Sequence, residues 1–489
     1  MEAVASPSEN RKRHWLWPTR RRFVIGFLIA LVIWGWLDVR NRGRYNPADH
    51  YGHKTDFTVY TEAGAAFFDG RPPYEVTNPR GWGYLYPPLF AIAVAPLHQL
   101  APENQVYTWF LFSLAACWGC FLELRRIGRL VLPATYGEGS FGRIPTWLGA
   151  VASSAAAIPG LNCLQRGQVG IAKLYLLLWG FRLIVENRAL WQPFCGAGLL
   201  ALAVTLKVTP LIPACVVAAG QLLGACHHRH PELKRAAAAT SAGLAFGMVA
   251  WLFLVPAVAV GWQSNLTHLG AWWKSVGLHA ENISDDDFAG NSTTVRNQSL
   301  ANAAYRLGNW SHYMFAGGPH DLGPEQRRKG GNGLLMDSAW ADHAILALRV
   351  AAGLLLLGVC YRLSRTGDPL DQAAVFGMAC LATLVVFTIA RGHYYMLLLP
   401  ANVFVPLWLV RSGRVRLALV LAIPPVILVF AHYLALDYTG RVGVLGLGTA
   451  IWYFTSCGML LTAPPGIRAV SAPPTGLSWP TESNRPLAA

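Results

Sequence analysis

One carboxylate stands among aromatic residues in the polar stretch that follows the first apolar segment of the sequence. Asp56 precedes an aromatic-rich run from Tyr60 to Phe68, and the stretch ends in Tyr84-Leu85-Tyr86-Pro87-Pro88. A carboxylate beside aromatic rings suits general-base catalysis on a sugar hydroxyl, because the rings can stack on the sugar and exclude water. The alternative is that Asp56 is a solvated loop charge or the N-cap of a helix over 57–68.

A lysine inside an apolar run is the second candidate for chemistry. Lys207 lies within the apolar residues 196–226, where a charged side chain is costly and usually functional. An ammonium group there suits stabilisation of a phosphate leaving group. The alternative is a lysine that reaches lipid headgroups at a break near Pro210.

Four further polar residues lie between apolar segments, where they can meet a ligand near the membrane surface. Arg391 can clamp a phosphate, and His393 can donate to a phosphate or position an acceptor. The alternative for both is anchoring to lipid headgroups. Gln168 and Asn297 could hold sugar hydroxyls, or either could be a structural hydrogen bonder.

The sequence predicts no metal and no other cofactor. Asp285-Asp286-Asp287 could bind a divalent cation, but such an acidic run is usually solvated and lacks the spaced ligands of a calcium site. Most of the nine cysteines lie inside apolar runs, where cysteine acts as a small apolar residue. Because no phosphate-binding loop, dinucleotide fingerprint or nucleophile elbow occurs in the sequence, a nucleotide sugar bound by a soluble domain is not expected.

The composition dictates the kind of element that must position these residues. Of 489 residues, 54% are hydrophobic and only 13% are charged, about half the charged share of a soluble protein. Several apolar runs approach the roughly 20 residues that a helix needs to cross a bilayer. The net charge of +15 fits basic loops beside lipid headgroups rather than nucleic acid, since no base-reading module is present. The sequence therefore predicts an all-α integral membrane protein, a polytopic helical bundle.

The bundle should form one transmembrane domain over 23–463, with outer loops 40–83 and 259–343. A basic cytoplasmic N-terminus, 1–22, precedes it, and a disordered cytoplasmic tail, 464–489, follows it. We expect about 12 transmembrane helices. The apolar segments lie near 23–39, 84–100, 103–124, 146–162, 168–185, 193–206, 209–226, 237–258, 344–361, 372–390, 394–410, 415–435 and 442–461.

Between residues 84 and 226 the sequence has an even number of apolar segments, although the topology requires an odd number of membrane crossings. Six apolar segments separate the first outer loop from the basic stretch 227–235, which should be cytoplasmic, so an odd number of crossings is required. Either one segment is re-entrant, or 193–226 is a single helix broken at Pro210. If Lys207 binds a phosphate at the outer face, the two halves of 193–226 must cross separately, and an earlier segment is re-entrant.

Several short elements occur in an order that resembles the GT-C superfamily of membrane glycosyltransferases, and most closely glycosyltransferase family 87. An Asp in the first outer loop comes first, and a Tyr-x-Tyr-Pro-Pro-Leu element then opens an apolar segment. The later elements are Arg166-Gly167-Gln168-Val169, Lys207-Val208-Thr209-Pro210, Asn297-Gln298-Ser299-Leu300 and Gly392-His393-Tyr394-Tyr395, followed by Leu399-Pro400. The resemblance covers roughly residues 20–420.

The resemblance implies a GT-C-type architecture and transfer of a hexosyl residue, with mannose favoured, from a polyprenyl-phosphate sugar. The acceptor would be a lipid-linked molecule or a glycan, and Asp56 would deprotonate its hydroxyl with inversion at the anomeric carbon. The site would face away from the cytoplasm, in a plasma membrane and in contact with its lipids. The residues implied to bind substrate are Tyr86, Gln168, Lys207, Asn297, Arg391 and His393.

Two rival functions stay open. Arabinofuranosyl transfer would use the same mechanism. A transporter or flippase of polyprenyl-linked glycans predicts charged residues deep in several spans and a repeat-related pair of broken helices. The candidate charges instead lie in outer loops and at span ends, apart from Lys207. The transferase interpretation requires Asp56, Lys207, Arg391 and His393 to converge on one outward-facing site.

Overall fold

The protein is built of helices joined by short turns. The computed structural model describes residues 26, 29–41, 55–77, 83–137, 139–228, 230–277, 297–301, 303 and 339–462. Within these ranges every regular element is a helix, and the strand-like pairings are isolated bridges. The all-α prediction is therefore confirmed for this part of the chain. The predicted N-terminal segment 1–22, the tail 464–489 and the acidic run Asp285-Asp286-Asp287 lie outside the described residues.

The helices are numbered in chain order. They are α1 (29–41), α2 (Asp56–Asp69), α3 (Pro88–Val94), α4 (Pro102–Val131), α5 (Thr146–Arg166), α6 (Gly170–Glu186), α7 (Trp191–Leu206), α8 (Leu211–His228), α9 (Pro231–Val249), α10 (Val255–Val260), α11 (Trp262–Trp272), α12 (Ala339–Ser364), α13 (Pro369–Val386), α14 (Leu398–Arg411), α15 (Val415–Leu434), α16 (Leu436–Val442) and α17 (Val444–Thr462). Short 3₁₀ turns cover Ala95–Gln99, Ala134–Tyr136 and Gly392–Leu397, and π turns cover Ala250–Leu254 and Trp273–Gly277.

Nine helical stretches in the described part of the chain are long and apolar enough to cross a bilayer. They are α4, α5, α8, the continuous stretch Pro231–Val260, α12 from His343, α13, Gly392–Arg411, α15 and α17. This is the pattern of a polytopic membrane protein, as the sequence predicts. The count of 12 also needs α1, α6 and α7 to cross; α6 and α7 have only 17 and 16 residues, so that count stays a prediction.

The segment 84–100, which the apolar pattern predicts as a span, does not form one. It contains the seven-residue helix α3 and the five-residue turn Ala95–Gln99. At about 1.5 Å per residue, so short a helix cannot cross roughly 30 Å of hydrocarbon. Pro87, Pro88 and Pro96 limit the helix, because proline has no N–H to donate. Since α7 and α8 are separate helices, crossing by each of α4 to α8 would give the odd number that the sequence requires.

Helix α2 contains the helix that the sequence allows over 57–68, and most of it is buried. Phe57 stacks on Trp109 of α4 with ring centroids 4.9 Å apart, and Tyr60 contacts Phe90 of α3 at 5.1 Å. Most side chains of α2 are enclosed by α3, α4 and the residues before α3. The first residue of α2, Asp56, therefore lies inside the protein.

The connections between successive helices divide the bundle into two ends. At one end, the turn Gly392–Leu397 between α13 and α14 packs on α5 and α6. There Cys163, near the end of α5, donates through its Sγ to the backbone oxygen of His393 at 3.5 Å. Lys173, on the first turn of α6, donates to the hydroxyl of Thr209 in the α7–α8 turn at 2.5 Å. The α5–α6, α7–α8 and α13–α14 connections thus meet at this end, which we call the site end.

The opposite end carries the α6–α7, α12–α13 and α14–α15 connections. These hold Arg188, Arg365 and Arg414. Asp368 pairs there with Arg411 at 2.8 Å and joins α13 to the end of α14. When the helix ends beside these connections are included (Arg126, Arg129, Arg362, Arg411 and Arg416), basic residues are more numerous at this end than at the site end, as they are in cytoplasmic loops.

Helix α11 packs beside α2 and α3 at the site end. The ring of His268 contacts that of Phe67 at 4.6 Å, and Trp272 Nε1 donates to the backbone oxygen of Leu85 at 3.3 Å. The side of the helix turned away from the protein carries exposed apolar residues at helical spacing, namely Trp262, Leu266 and Trp273. Such a stripe is typical of a helix that lies at a membrane interface.

Candidate active site

Asp56 is the first helical residue of α2, and its side chain is only 5% exposed. Thr55 occupies the N-cap position, without a side-chain capping bond. The Asp56 carboxylate instead accepts a hydrogen bond through Oδ2 from Nε2 of Gln168. The alternative of a solvated loop charge or an N-cap is therefore not what the structure has. Asp56 Oδ1 is buried and has no hydrogen-bond partner among the described residues.

A chain of hydrogen bonds runs from Lys207 to Asp56. Lys207 Nζ donates to the Tyr86 hydroxyl at 3.0 Å, and that hydroxyl donates to Gln168 Oε1 at 3.4 Å. Gln168 then donates to Asp56. Every donor in the chain points from the cation towards the anion, so each bond polarises the next. The Tyr60 hydroxyl lies 3.1 Å from that of Tyr86 and joins the chain from α2.

The turn between α5 and α6 brings Gln168 to Asp56. α5 ends at Gly167, whose φ of 68° lies in the left-handed region that favours glycine. A Cβ at Gly167 would come within 2.6 Å of the Cβ of Phe57, the neighbour of Asp56. Only glycine allows this turn to lie directly against the start of α2. A glycine is therefore required before Gln168 for steric reasons.

Two phenols of this network act as hydrogen-bond donors at neutral pH. Burial raises the pKa of Tyr86, although the nearby Lys207 ammonium acts in the opposite direction. Burial also raises the pKa of Tyr60 well above its usual value. Both hydroxyls therefore keep their protons, which the direction of the hydrogen-bond chain requires.

Asn297 holds the loop that carries Arg391. Its Oδ1 accepts from the backbone N–H of Ala390 at 3.0 Å, and its Nδ2 donates to the backbone oxygen of Thr388 at 3.3 Å. The backbones of Asn297 and Arg391 pair in an isolated antiparallel bridge. These contacts match the structural role that the sequence left open for Asn297. A role in sugar binding remains a prediction.

His393 and Lys207 meet at the ring of Tyr394. The His393 ring lies 4.7 Å from that of Tyr394, and Lys207 Nζ lies 4.1 Å from the Tyr394 ring centroid. His393 is 3% exposed, and its Nδ1 has no hydrogen-bond partner within the described ranges. Arg391 is half-buried on the same turn. The structure thus brings the predicted residues Asp56, Lys207, Arg391 and His393 together at one end of the bundle.

Three residues of this cluster were not among the predicted site residues. Tyr60 begins the aromatic run after Asp56, and Tyr394 belongs to the Gly392-His393-Tyr394-Tyr395 element. Lys173 lies in the predicted span 168–185 and carries the same signal as Lys207, a lysine in an apolar run. It is 1% exposed and lies 5.2 Å from the Tyr394 ring centroid.

Comparison with known proteins identifies the family of the chain. A family model described as glycosyltransferase family 87 matches residues 84–388, well over half of the chain. The chain belongs to glycosyltransferase family 87. The predicted family is therefore confirmed, and the protein is a glycosyltransferase. The matched residues include Tyr86, Gln168, Lys207 and Asn297, whereas Asp56 precedes them.

This family 87 glycosyltransferase is 28% identical over 397 residues to a named relative from Mycolicibacterium smegmatis. The relative is a polyprenol-phosphate-mannose-dependent alpha-(1-2)-phosphatidylinositol mannoside mannosyltransferase. The match covers 77% of this chain and 73% of the relative. No solved structure matches the chain.

Proposed function

We propose that this membrane glycosyltransferase moves a hexosyl residue, with mannose favoured, from a polyprenyl-phosphate sugar to a hydroxyl of a lipid-linked or glycan acceptor. Asp56 is the general base. The dependence on polyprenol-phosphate mannose in the name of the Mycolicibacterium relative supports this class of donor. Family membership supports the glycosyl transfer itself.

The proposal rests on the surroundings of the two oxygens of the Asp56 carboxylate. One of its oxygens is fixed by Gln168, and the other is buried with no hydrogen-bond partner in the described part of the chain. A buried carboxylate oxygen without a partner is unfavourable, so a hydroxyl that binds there gains a strong, preoriented acceptor. A general base must lie within hydrogen-bond reach of the proton that it removes, and Oδ1 is free to do so.

The reaction is a single displacement at the anomeric carbon of the donor. The acceptor oxygen bonds to that carbon while the bond from the carbon to the phosphate oxygen breaks. The electron pair stays on the phosphate, and the acceptor proton passes to Asp56. Lys207 donates one hydrogen bond to Tyr86 and keeps two N–H groups for the phosphate, where a fixed cation stabilises the developing charge.

The distribution of buried carboxylates supports inversion. Among the described residues, the buried carboxylates are Asp56, Glu123 and Asp371. Glu123 pairs with Arg126 at 2.5 Å and Asp371 accepts from Trp408 at 2.6 Å, both at the opposite end of the bundle. A retaining double displacement needs a nucleophile in addition to the acid or base. Asp56 is the one buried carboxylate at the site end within the described ranges, which favours a direct displacement with inversion.

The site end faces away from the cytoplasm in this proposal. Basic residues of the helix ends and connections are more numerous at the opposite end, and basic loops stay in the cytoplasm during membrane insertion. The polyprenyl chain of the donor would then lie in the outer leaflet of the plasma membrane. The sugar and the phosphate would reach Asp56 and Lys207 from that side.

The test uses membranes that contain the protein, a labelled polyprenyl-phosphate mannose and a total lipid extract as the pool of acceptors. Asp56→Asn keeps the size of the side chain and removes the base. We expect labelled product with the native chain and a loss of at least about 100-fold with this variant, the usual effect of a general base. Asp69→Asn, an exposed position at the other end of α2, should retain native activity.

The outcomes separate the rival functions. Product from polyprenyl-phosphate arabinose alone would change the sugar and keep the role of Asp56. Equal product from the native chain and Asp56→Asn would contradict the base assignment. No product from either donor, together with movement of a polyprenyl-linked glycan between leaflets, would favour a flippase.

A further inference from the structure

A second buried lysine lies beside the proposed donor site and has no part in the base chemistry. Lys173 stands on the first turn of α6 and is 1% exposed. Its Nζ donates to the Thr209 hydroxyl at 2.5 Å and lies 5.2 Å from the Tyr394 ring centroid. Lys207 Nζ lies 4.1 Å from the same centroid. Two lysine side chains therefore share one aromatic ring inside the protein.

Neither of these two lysines has a carboxylate partner in the described part of the chain. Within the described ranges, Lys173 donates to a Thr hydroxyl and Lys207 to the Tyr86 phenol, and no carboxylate forms an ion pair with either. Asp56 is reached from Lys207 only through Tyr86 and Gln168. Removing an ammonium group from water costs several kcal/mol unless an opposite charge compensates. Two lysines at one ring, neither with a carboxylate partner among the described residues, therefore suit an anionic ligand that carries more than one negative charge.

The chemistry of the proposed donor supplies such a change of charge. A polyprenyl-phosphate sugar is a phosphodiester with one negative charge. When the bond from the anomeric carbon to the phosphate oxygen breaks, that oxygen keeps the electron pair and the product is a phosphate monoester with up to two negative charges. The acceptor proton goes to Asp56, so it does not neutralise the phosphate.

We propose that Lys207 balances the charge of the bound donor and that Lys173 balances the second charge, which appears on the phosphate as the sugar leaves. This inference rests on the proposed function. Interactions that are stronger in the transition state than in the ground state raise kcat, whereas interactions equal in both states lower KM. Lys173 should therefore contribute to kcat, and Lys207 should contribute to donor binding as well.

The kinetic test uses the purified full-length protein in lipid nanodiscs. Lys173→Met keeps the length of the side chain and removes its charge. We expect kcat to fall about 100-fold while the KM for the donor changes by less than about threefold, in the range found when one charge-stabilising donor is removed. Lys207→Met should raise the donor KM as well. Lys234→Met, at an exposed position of α9, is the matched lysine control and should be native-like.

Binding of the leaving product gives a readout that does not depend on turnover. The native chain should bind polyprenyl monophosphate more tightly than a non-transferable phosphodiester analogue of the donor. In Lys173→Met the ratio of the two affinities should fall at least about tenfold, because the preference comes from the second negative charge of the monophosphate. Unchanged preference in Lys173→Met, or a raised donor KM with native kcat, would overturn the inference.

Stability separates this role from a structural one. Replacing an unbalanced buried charge with an apolar side chain of similar size should keep or raise the melting temperature. If Lys173→Met lowers the melting temperature or fails to accumulate in membranes, Lys173 serves the fold and the inference is wrong. Thr209→Val provides an independent check, because it removes the hydroxyl that holds Lys173 and should lower kcat by about tenfold with little change in KM.

Failure of this inference can be told apart from failure of the proposed function. If the native chain transfers no sugar and binds neither phosphate compound, the proposed function itself is contradicted. If the native chain turns over and Lys173→Met behaves like Lys234→Met, only the role of Lys173 is contradicted.

Discussion

At the scale of single residues, the site is a polarised line of hydrogen bonds that ends on one carboxylate. Lys207, Tyr86 and Gln168 each donate towards Asp56. Gln168 is the only member of this line that both accepts from a phenol and donates to the base. Its amide therefore fixes the orientation of Asp56 and links it to the cation proposed to bind phosphate.

Replacing Gln168 should disturb the base without removing it. In Gln168→Met, Asp56 loses the donor to Oδ2, and the Tyr86 hydroxyl loses its acceptor. We expect kcat to fall about 10-fold to 100-fold, less than in Asp56→Asn, because a misplaced base retains part of its effect. Gln263→Met, at an exposed position of α11, controls for the substitution itself. Native kcat in Gln168→Met would mean that the hydrogen-bond chain has no role in transfer.

The charged residues of the site were easier to predict from the sequence than the residues that contact them. Asp56 could be predicted from its aromatic surroundings, and Lys207 from its place in an apolar run. Lys173, like Lys207, is a lysine in an apolar run. Whether it lies at the site depends on which face of α6 packs against the α7–α8 turn. That packing depends on long-range contacts and not on local spacing. For the same reason, the structural contacts of Asn297 with 388–390 could not be predicted from the sequence.

At the scale of elements, α11 packs against the elements that carry the site. Asn265 faces inward with no exposed surface and donates through Nδ2 to the backbone oxygens of Leu252 and Phe253 at 3.0 and 3.3 Å. Those oxygens belong to the π turn Ala250–Leu254, where the helical hydrogen-bond pattern changes. Asn265-Leu266-Thr267 also has the form of a glycosylation acceptor, but burial makes Asn265 inaccessible to a glycosylating enzyme.

Two substitutions separate the structural role of Asn265 from its acceptor motif. Asn265→Ala removes one donor from two part-buried carbonyl groups and should cost about 1–3 kcal/mol of stability. Thr267→Ala also removes the acceptor motif, but the exposed Thr267 hydroxyl bonds only to its own helix. Thermal unfolding in detergent should show a lower melting temperature for Asn265→Ala alone. An equal decrease in both variants would point to a glycan instead.

The prediction of a membrane span over 84–100 is wrong. Its apolar composition is that of a span, yet it forms a short helix and a turn that enclose α2. Composition alone cannot distinguish residues buried against protein from residues buried in lipid. The odd number of crossings required before the basic stretch 227–235 was the signal in the sequence that one segment had to differ.

At the scale of the whole molecule, the proposed catalytic residues and the arginine-paired buried carboxylates lie at opposite ends of the bundle. The buried network of Asp56, Lys207 and His393 lies at one end. The buried carboxylates Glu123 and Asp371 lie at the other end, each with an arginine within 4 Å. This separation predicts the orientation of the protein in the membrane.

Labelling of introduced cysteines in intact cells tests that orientation. Asp69→Cys, at the end of α2, should react with a membrane-impermeant maleimide before the membrane is opened. Arg188→Cys, in the α6–α7 connection, should react only after the membrane is permeabilised, because the basic end is expected to be cytoplasmic. The native chain, whose own cysteines are free thiols in the described structure, gives the background. The reverse pattern would place the site end in the cytoplasm and contradict the proposed topology.

The most direct test of the central claim separates donor binding from sugar transfer in Asp56→Asn. The purified variant in nanodiscs is loaded with labelled polyprenyl-phosphate mannose, and the acceptor found in the lipid extract is then added. If Asp56 is the base, the variant should bind the donor within about threefold of the native affinity and transfer the sugar at least about 100-fold more slowly. Transfer at the native rate, or a parallel loss of donor binding, would contradict the assignment of Asp56 as the base.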